Sequence, residues 1–247
     1  MKAFSTMFKT ELKLSIRGMD MVIFAIGMPA VVVILLGIIY GTKPAEPGSA
    51  YTFLEQSFGA VSTIAICAGG IMGLPLLISD YRHRKILKRF KVTPASPALI
   101  LAVHLAIYAA YSIVSLLLVY TISVLFFQCR FYGSPLLFSA SYLLVMVSTF
   151  SIGLAVGGLA PDLKTASILA SILYFPMVIF SGATLPYEIM PPVLQKIVAF
   201  LPLTHGIKLL KAAALGLPLE HVSLSIAILS VLALVCTAAA LKFFKWE

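Results

Sequence analysis

Charge is what this sequence has least of. Only 11% of its 247 residues are Asp, Glu, Lys or Arg, where a soluble domain carries about 25%. Apolar residues make up 61%, and the mean hydropathy is +1.06. A water-soluble globule of this length would have too few charges to cover its surface. Uncharged runs of the length needed to cross a hydrocarbon core, about 20 residues each, account for the deficit. The chain reads as a polytopic membrane protein, which excludes a soluble enzyme, a nucleic-acid-binding domain and a disordered chain.

Cysteine is also scarce. Cys67, Cys129 and Cys236 lie far apart, with neither CxxC spacing nor nearby His or acidic partners. That excludes a zinc site or a disulfide framework and leaves packed thiols. The four histidines, His83, His104, His205 and His221, are scattered over both sides of the membrane, whereas an embedded hydrolase needs clustered polar groups. Acidic residues number nine against 18 Lys and Arg, a net charge of +9. In a membrane chain this excess reads as topology and contact with anionic lipid headgroups.

Inside the uncharged spans no Asp, Glu or Lys stands away from the ends. An ion-coupled carrier places such groups in the membrane as relays, because only function offsets the cost of burying them. Glu55 borders the second span, and Asp162 and Lys164 lie in the turn after the fourth. His104 alone could relay a proton, and it reads as a hydrogen-bonded packing residue. The chain has no G-x-x-x-x-G-K-[ST], indeed no Gly-Lys pair, so it has no phosphate-cradling loop of its own.

The uncharged runs occupy residues 21–40 and 56–79, parts of 92–129 and 131–161, then 165–187 and 222–241. Pro29, Pro75 and Pro176 fall within or near the ends of these spans and are expected to kink them. Ahead of the first, Phe4, Met7, Phe8, Leu12, Ile16 and Met19 recur at steps of three or four beside a Lys9–Lys13–Arg17 stripe. That pattern predicts an interfacial amphipathic helix over residues 1–20. A secretory signal fits less well, since the apolar run starts late and no A-x-A site follows.

Residues 186–221 do not fit a span. Five prolines and several charges leave two apolar pieces, 193–201 and 204–215. Pieces of about 10–14 residues are interfacial or re-entrant, so a helical hairpin dipping into one face is predicted. With the N-terminus in the cytoplasm, 13 of the 18 cations fall on inner segments. The positive-inside rule then puts both termini inside and this hairpin outside. Gly69 with Gly73, and Gly153 with Gly157, form G-x-x-x-G pairs expected to pack helices within one subunit.

The densest polar feature follows the second span: Asp80, Tyr81, Arg82, His83, Arg84, Lys85, Ile86, Leu87, Lys88, Arg89, Phe90 and Lys91. On a helix, Ile86, Leu87 and Phe90 form an apolar edge while the cations project elsewhere. Such a helix suits the groove of a soluble partner, or it anchors topology on anionic lipid.

Residues 81–97, from Tyr81 through the Thr-Pro-Ala-Ser-Pro at Thr93 to Pro97, resemble the cytoplasmic loop of the type-two family of ATP-binding-cassette (ABC) transporter membrane subunits. A second likeness is the run Phe180-Ser-Gly-Ala-Thr-Leu-Pro, which continues through Pro191-Pro192 to Leu201-Pro-Leu-Thr204. It is similar to the family's pattern after the fifth span. The order of amphipathic N-terminus, spans, loop and outer hairpin matches over essentially the whole chain. Two positions depart from the pattern: His83 stands where the family has Glu, and Lys85 where it has Gly.

The resemblance implies an all-α membrane protein with one transmembrane domain over 1–247. It has six spans, an interfacial helix over 1–20, a cytoplasmic coupling loop over 80–97 and an extracellular re-entrant hairpin over 186–221, between helices five and six. It implies the permease subunit of a bacterial ABC exporter of multidrug-efflux type, in the inner membrane, with an apolar or amphipathic cargo; lipid-linked glycan is the alternative. ATP and magnesium would be bound by two copies of a separate ABC ATPase subunit, and a second permease subunit, identical or sister, would complete the pathway. Asp80, Arg82, Arg84, Lys85, Leu87, Lys88, Arg89 and Phe90 are the expected coupling residues. Spans two and five would face the pathway through Ser62, Thr63, Ser171, Tyr174, Phe175, Val178 and Phe180.

Overall fold

A computed structural model describes residues 2–41, 43–45, 48–86, 97–182, 191–218 and 222–243. Helix α1 covers Lys2–Gly18. Six membrane-length helices follow: α2 (Asp20–Tyr40), α3 (Phe53–His83), α4 (Pro97–Phe127), α5 (Pro135–Leu159), α6 (Leu163–Phe180) and α9 (Ser223–Phe243). Two short helices, α7 (Pro192–Val198) and α8 (Pro202–Leu215), lie between α6 and α9. The described residues adopt the six-span helical architecture expected from composition.

The second span, α3, is the hub. It is one turn longer at each end than its uncharged run, and most of its apolar stretch is buried among α2, α4, α5, α6 and α8. Small residues allow this. A side chain on Gly153 of α5 would overlap the carbonyl of Gly70 on α3, and one on Gly157 would meet Pro75 and Ile78. Gly69 and Gly73 instead face the Tyr108 ring of α4. Both glycine pairs therefore join helices inside this chain, at a separation other residues would not permit.

Two of the three prolines expected to kink the spans are accommodated by wide turns. Ile23–Gly27 precedes Pro29, and Ala68–Gly73 precedes Pro75, each wound as a π-helix. Proline has no N–H, and its ring crowds the carbonyl four residues back; a wider turn carries that carbonyl to the next N–H instead. The chain breaks between α1 and α2 at Met19, whose φ of 61° is left-handed. Phe4, Met7, Phe8 and Leu12 of α1 then pack on the bundle, while Lys9, Lys13 and Arg17 stay exposed. Ile16 and Met19, placed with that apolar face by spacing, are exposed as well.

Helix α8 is not superficial. Ten of its 14 residues are buried, and it packs on α3, α5 and α9. Its hydrogen-bonded neighbours mark its depth: the Ala214 carbonyl accepts from Tyr132 and Gly133 N–H, and His205 Nδ1 lies 3.1 Å from Ser225 Oγ.

Candidate functional site: the basic end of the second span

Helix α3 ends in a run of polar residues whose helical positions give each a different neighbour. Asp80 and Arg84, four apart, share one face and pair at 2.8 Å. The Arg84 side chain is 68% exposed, so this pair adds little stability. His83 and Lys85 are also exposed. Leu87, Lys88, Arg89 and Phe90 lie outside the described residues.

Tyr81 points inward. Its hydroxyl lies 3.3 Å from Glu11 Oε2 on α1 and 3.0 Å from His104 Nε2 on α4. A carboxylate only accepts, so both bonds form together when Tyr81 donates to Glu11 and accepts from the His104 ring N–H. The Tyr81 and His104 rings meet edge-on at 5.4 Å. His104 is thus buried and hydrogen-bonded. One layer away, Tyr111 of α4 donates to Ser15 Oγ on α1 at 2.9 Å. The N-terminal helix is held to the bundle by these two tyrosines.

Arg82 turns to a third side. Its Nη1 donates to the Ala160 carbonyl at 2.6 Å and its Nη2 to the Gly157 carbonyl at 3.0 Å. These oxygens belong to the last turn of α5 and the residue after it, where helix carbonyls lack N–H partners. A guanidinium there satisfies them and meets the negative pole of the helix dipole. The turn continues at once into α6, whose N-cap Asp162 accepts from Thr165 N–H at 2.8 Å. That bond holds the Asp162 carboxyl below its ordinary pKa.

After His83 the helix stops. Lys85 adopts φ 56°, and its N–H reaches the Arg82 carbonyl at 3.0 Å. This left-handed conformation suits Gly, the residue the family pattern has here.

The residues expected along the pathway are distributed over both faces of their helices. Ser62 and Thr63 are fully buried in α3, and their hydroxyls donate to Phe58 and Ala60 carbonyls of their own helix, both at 2.7 Å. Tyr174 and Val178 are buried, and Ser171 and Phe180 are half-buried. Phe175 is exposed in a stripe with Ile168, Ile172 and Ile179, on the outer surface of α6.

Two features at the opposite end of α3 were not anticipated. Glu55 is buried and closes a reciprocal cap: Thr52 N–H donates to Oε2 at 2.8 Å, and Glu55 N–H donates to Thr52 Oγ1 at 3.2 Å. Its other oxygen accepts from Arg130 N–H at 2.8 Å, tying the loop after α4 to the start of α3. The Thr-x-x-Glu spacing at 52–55 is the sequence signature of this cap. Beside it, a cavity of about 160 Å³ runs between α3 and α8. Gln56, Ser57 and Ala60 form one wall, and Thr204, Ile207, Lys208 and Lys211 the other. The 204/207/208/211 spacing of a single helical face was the available signal.

Among the described residues no three His, Cys, Asp or Glu side chains group as a metal ion would require. The described residues form six membrane-length helices, the second of which is buried at the centre and ends in a basic segment, the architecture of a multi-pass membrane protein. The chain belongs to the ABC-2 type transporter family, whose pattern it matches over residues 2–215. That family is the membrane component of ABC transporters and works with an ABC ATPase subunit.

Among characterised relatives, Nodulation protein J of Rhizobium leguminosarum bv. viciae is 37% identical over 81 residues, 33% of this chain and 31% of that protein. Nodulation protein J of Neorhizobium galegae is 34% identical over 94 residues, 38% of this chain and 34% of that protein. The inner membrane transport permease YhhJ of Escherichia coli K12 is 32% identical over 80 residues, 32% of this chain and 21% of that protein. These matches span about a fifth to a third of the relatives' own length.

Proposed function

We propose that this chain is the permease subunit of an ATP-driven exporter that moves an apolar or amphipathic cargo out of a bacterial cell. It lies in the inner membrane with both termini in the cytoplasm. Two copies of an ABC ATPase subunit, holding ATP and magnesium, dock under the 80–97 segment. A second permease subunit, identical or sister, completes the pathway. The observation that carries this reading is the end of α3: a buried central helix, bonded to three neighbours, that emerges as the exposed His83, Arg84 and Lys85.

The nature of the cargo follows from surfaces. Phe175 faces out of its own chain, so a pathway that uses it is bounded by the second subunit. Apolar walls bind by burial, at roughly 25 cal/mol per Å², with little directional demand. The α3–α8 cavity adds amine and amide groups at the far end, where the polar part of an amphiphile would sit.

The test is reconstitution with the cognate ATPase in liposomes. ATP turnover should rise with apolar amphiphiles and not with hydrophilic solutes, and Phe175→Ala should blunt the rise. Charge reversal of Arg84, Lys88 and Arg89 to Glu should abolish copurification of the ATPase while cysteine accessibility reports unchanged orientation. Unchanged copurification by a correctly oriented variant, or stimulation by hydrophilic solutes alone, overturns the reading.

A further inference from the structure

We infer that Arg82 acts from inside the permease, as a positioning residue that fastens the end of α3 to the turn between α5 and α6. Movement of the 80–97 segment is thereby delivered to the fourth and fifth spans together. The inference deepens the proposed function and rests on its reading of 80–97 as the segment an ATPase moves.

Position comes first. Residues two apart on a helix are about 200° apart, so Arg82 faces away from the exposed Asp80–Arg84 pair. In composition it is one more cation of a basic run; in the fold its two outer nitrogens are committed to the Gly157 and Ala160 carbonyls. Lysine could not reproduce this, because a single ammonium lacks the planar fork that reaches two acceptors in fixed geometry.

The acceptors matter more than the donor. Above the bonds, α3 and α5 touch backbone to backbone. A Cβ on Gly157 would stand 3.1 Å from Pro75 Cα and 3.2 Å from Ile78 Cβ. Helices packed that closely shift as one block. Ala160 lies just beyond α5, and α6 begins three residues later at Leu163. Residues 160–162 are therefore where α6 can change its angle to α5, and the Arg82 guanidinium is bonded to this turn. Tyr81, the preceding residue, holds α1 and α4 in the same way. The end of α3 is a four-way junction, and Arg82 is its link to the turn.

The experiment uses the full chain with Arg82→Gln and Arg82→Lys. On the permease alone, amide hydrogen exchange across residues 157–162 should quicken about tenfold in R82Q, the scale of one lost hydrogen bond to a charged group. Residues 138–150 should be unchanged, and R82K should fall between. With the cognate ATPase, R82Q should copurify as well as wild type, yet move several-fold less cargo per ATP hydrolysed.

Unchanged exchange at 157–162 overturns the fastening. Faster exchange throughout the chain shows a general structural role instead, and also overturns it. Loss of ATPase copurification in R82Q makes Arg82 a docking residue and overturns the inference while sparing the proposed function. A wild-type chain that binds no ATPase sinks the proposed function, and the delivery role with it. The exchange result on the chain alone still decides whether Arg82 fastens the turn.

Discussion

The two ends of the second span both carry hydrogen-bonded polar side chains, and these connect to different things. At the far end Glu55 bonds to its own cap residue and to the backbone of a loop, through Thr52 and Arg130 N–H. At the basic end Tyr81 and Arg82 bond to three helices, α1, α4 and α5. One end pins connectors to a fixed post; the other gathers helices at the point where the chain leaves the membrane as a charged segment. A polar network that holds loops stabilises a shape. One that holds helices also passes displacement between them, which is what a transporter driven from outside its own chain needs.

The contrast can be broken first at Glu55. Glu55→Ala leaves the Thr52 and Arg130 N–H groups without their acceptor and breaks the reciprocal half of the cap, a loss of about 1–3 kcal/mol. Thermal unfolding in detergent should show a clear fall in Tm, with ATPase copurification unaffected at temperatures where the variant stays folded. At the basic end, Tyr81→Phe keeps the ring against His104 and deletes both hydroxyl bonds, costing about 1–2 kcal/mol. Its expected signature is faster proteolysis of α1, because the Tyr111–Ser15 bond then holds that helix with fewer partners. An equal loss of Tm in both variants, with α1 still protected in the second, would erase the distinction drawn between the ends.

The smallest effect runs the other way. Lys85 holds a left-handed conformation at φ 56°, which costs a non-glycine residue about 1 kcal/mol. Lys85→Gly should raise stability by roughly that amount, less what glycine loses through unfolded-state freedom. Hydrogen exchange over residues 80–86 should slow slightly, or stay level where the two terms cancel. Faster exchange there would mean that the lysine side chain, rather than the turn, holds the end of α3.

Much of this architecture was legible in the sequence. The six spans follow from uncharged length; α3 outruns its uncharged stretch at both ends through charged and polar residues, whereas α6 stops at Phe180, inside its run. Lys85 is an instructive case. Although it replaces the family's glycine, its backbone keeps the conformation glycine would choose, with the Lys85 N–H on the Arg82 carbonyl. What spacing could not show is partnership. Arg82 looks like its basic neighbours because its acceptors are backbone carbonyls, which leave no mark in a side-chain pattern. Glu55 did carry a mark, the Thr-x-x-Glu cap, but its bond to Arg130 N–H joins positions 75 apart. The depth of α8 was hidden for a related reason: an amphipathic piece of 14 residues looks the same whether its apolar face meets lipid or α3, α5 and α9.

The claim at the centre of this account is that an ATPase meets the chain at the basic end of the second span and nowhere near its far end. Both Lys85 and Arg130 are exposed, one beside each end, so each can carry a photo-crosslinking amino acid in cells that also express the cognate ATPase. The account predicts an adduct with the ATPase from position 85 and none from position 130. An adduct from position 130, or none from position 85 while the two proteins still copurify, would contradict it.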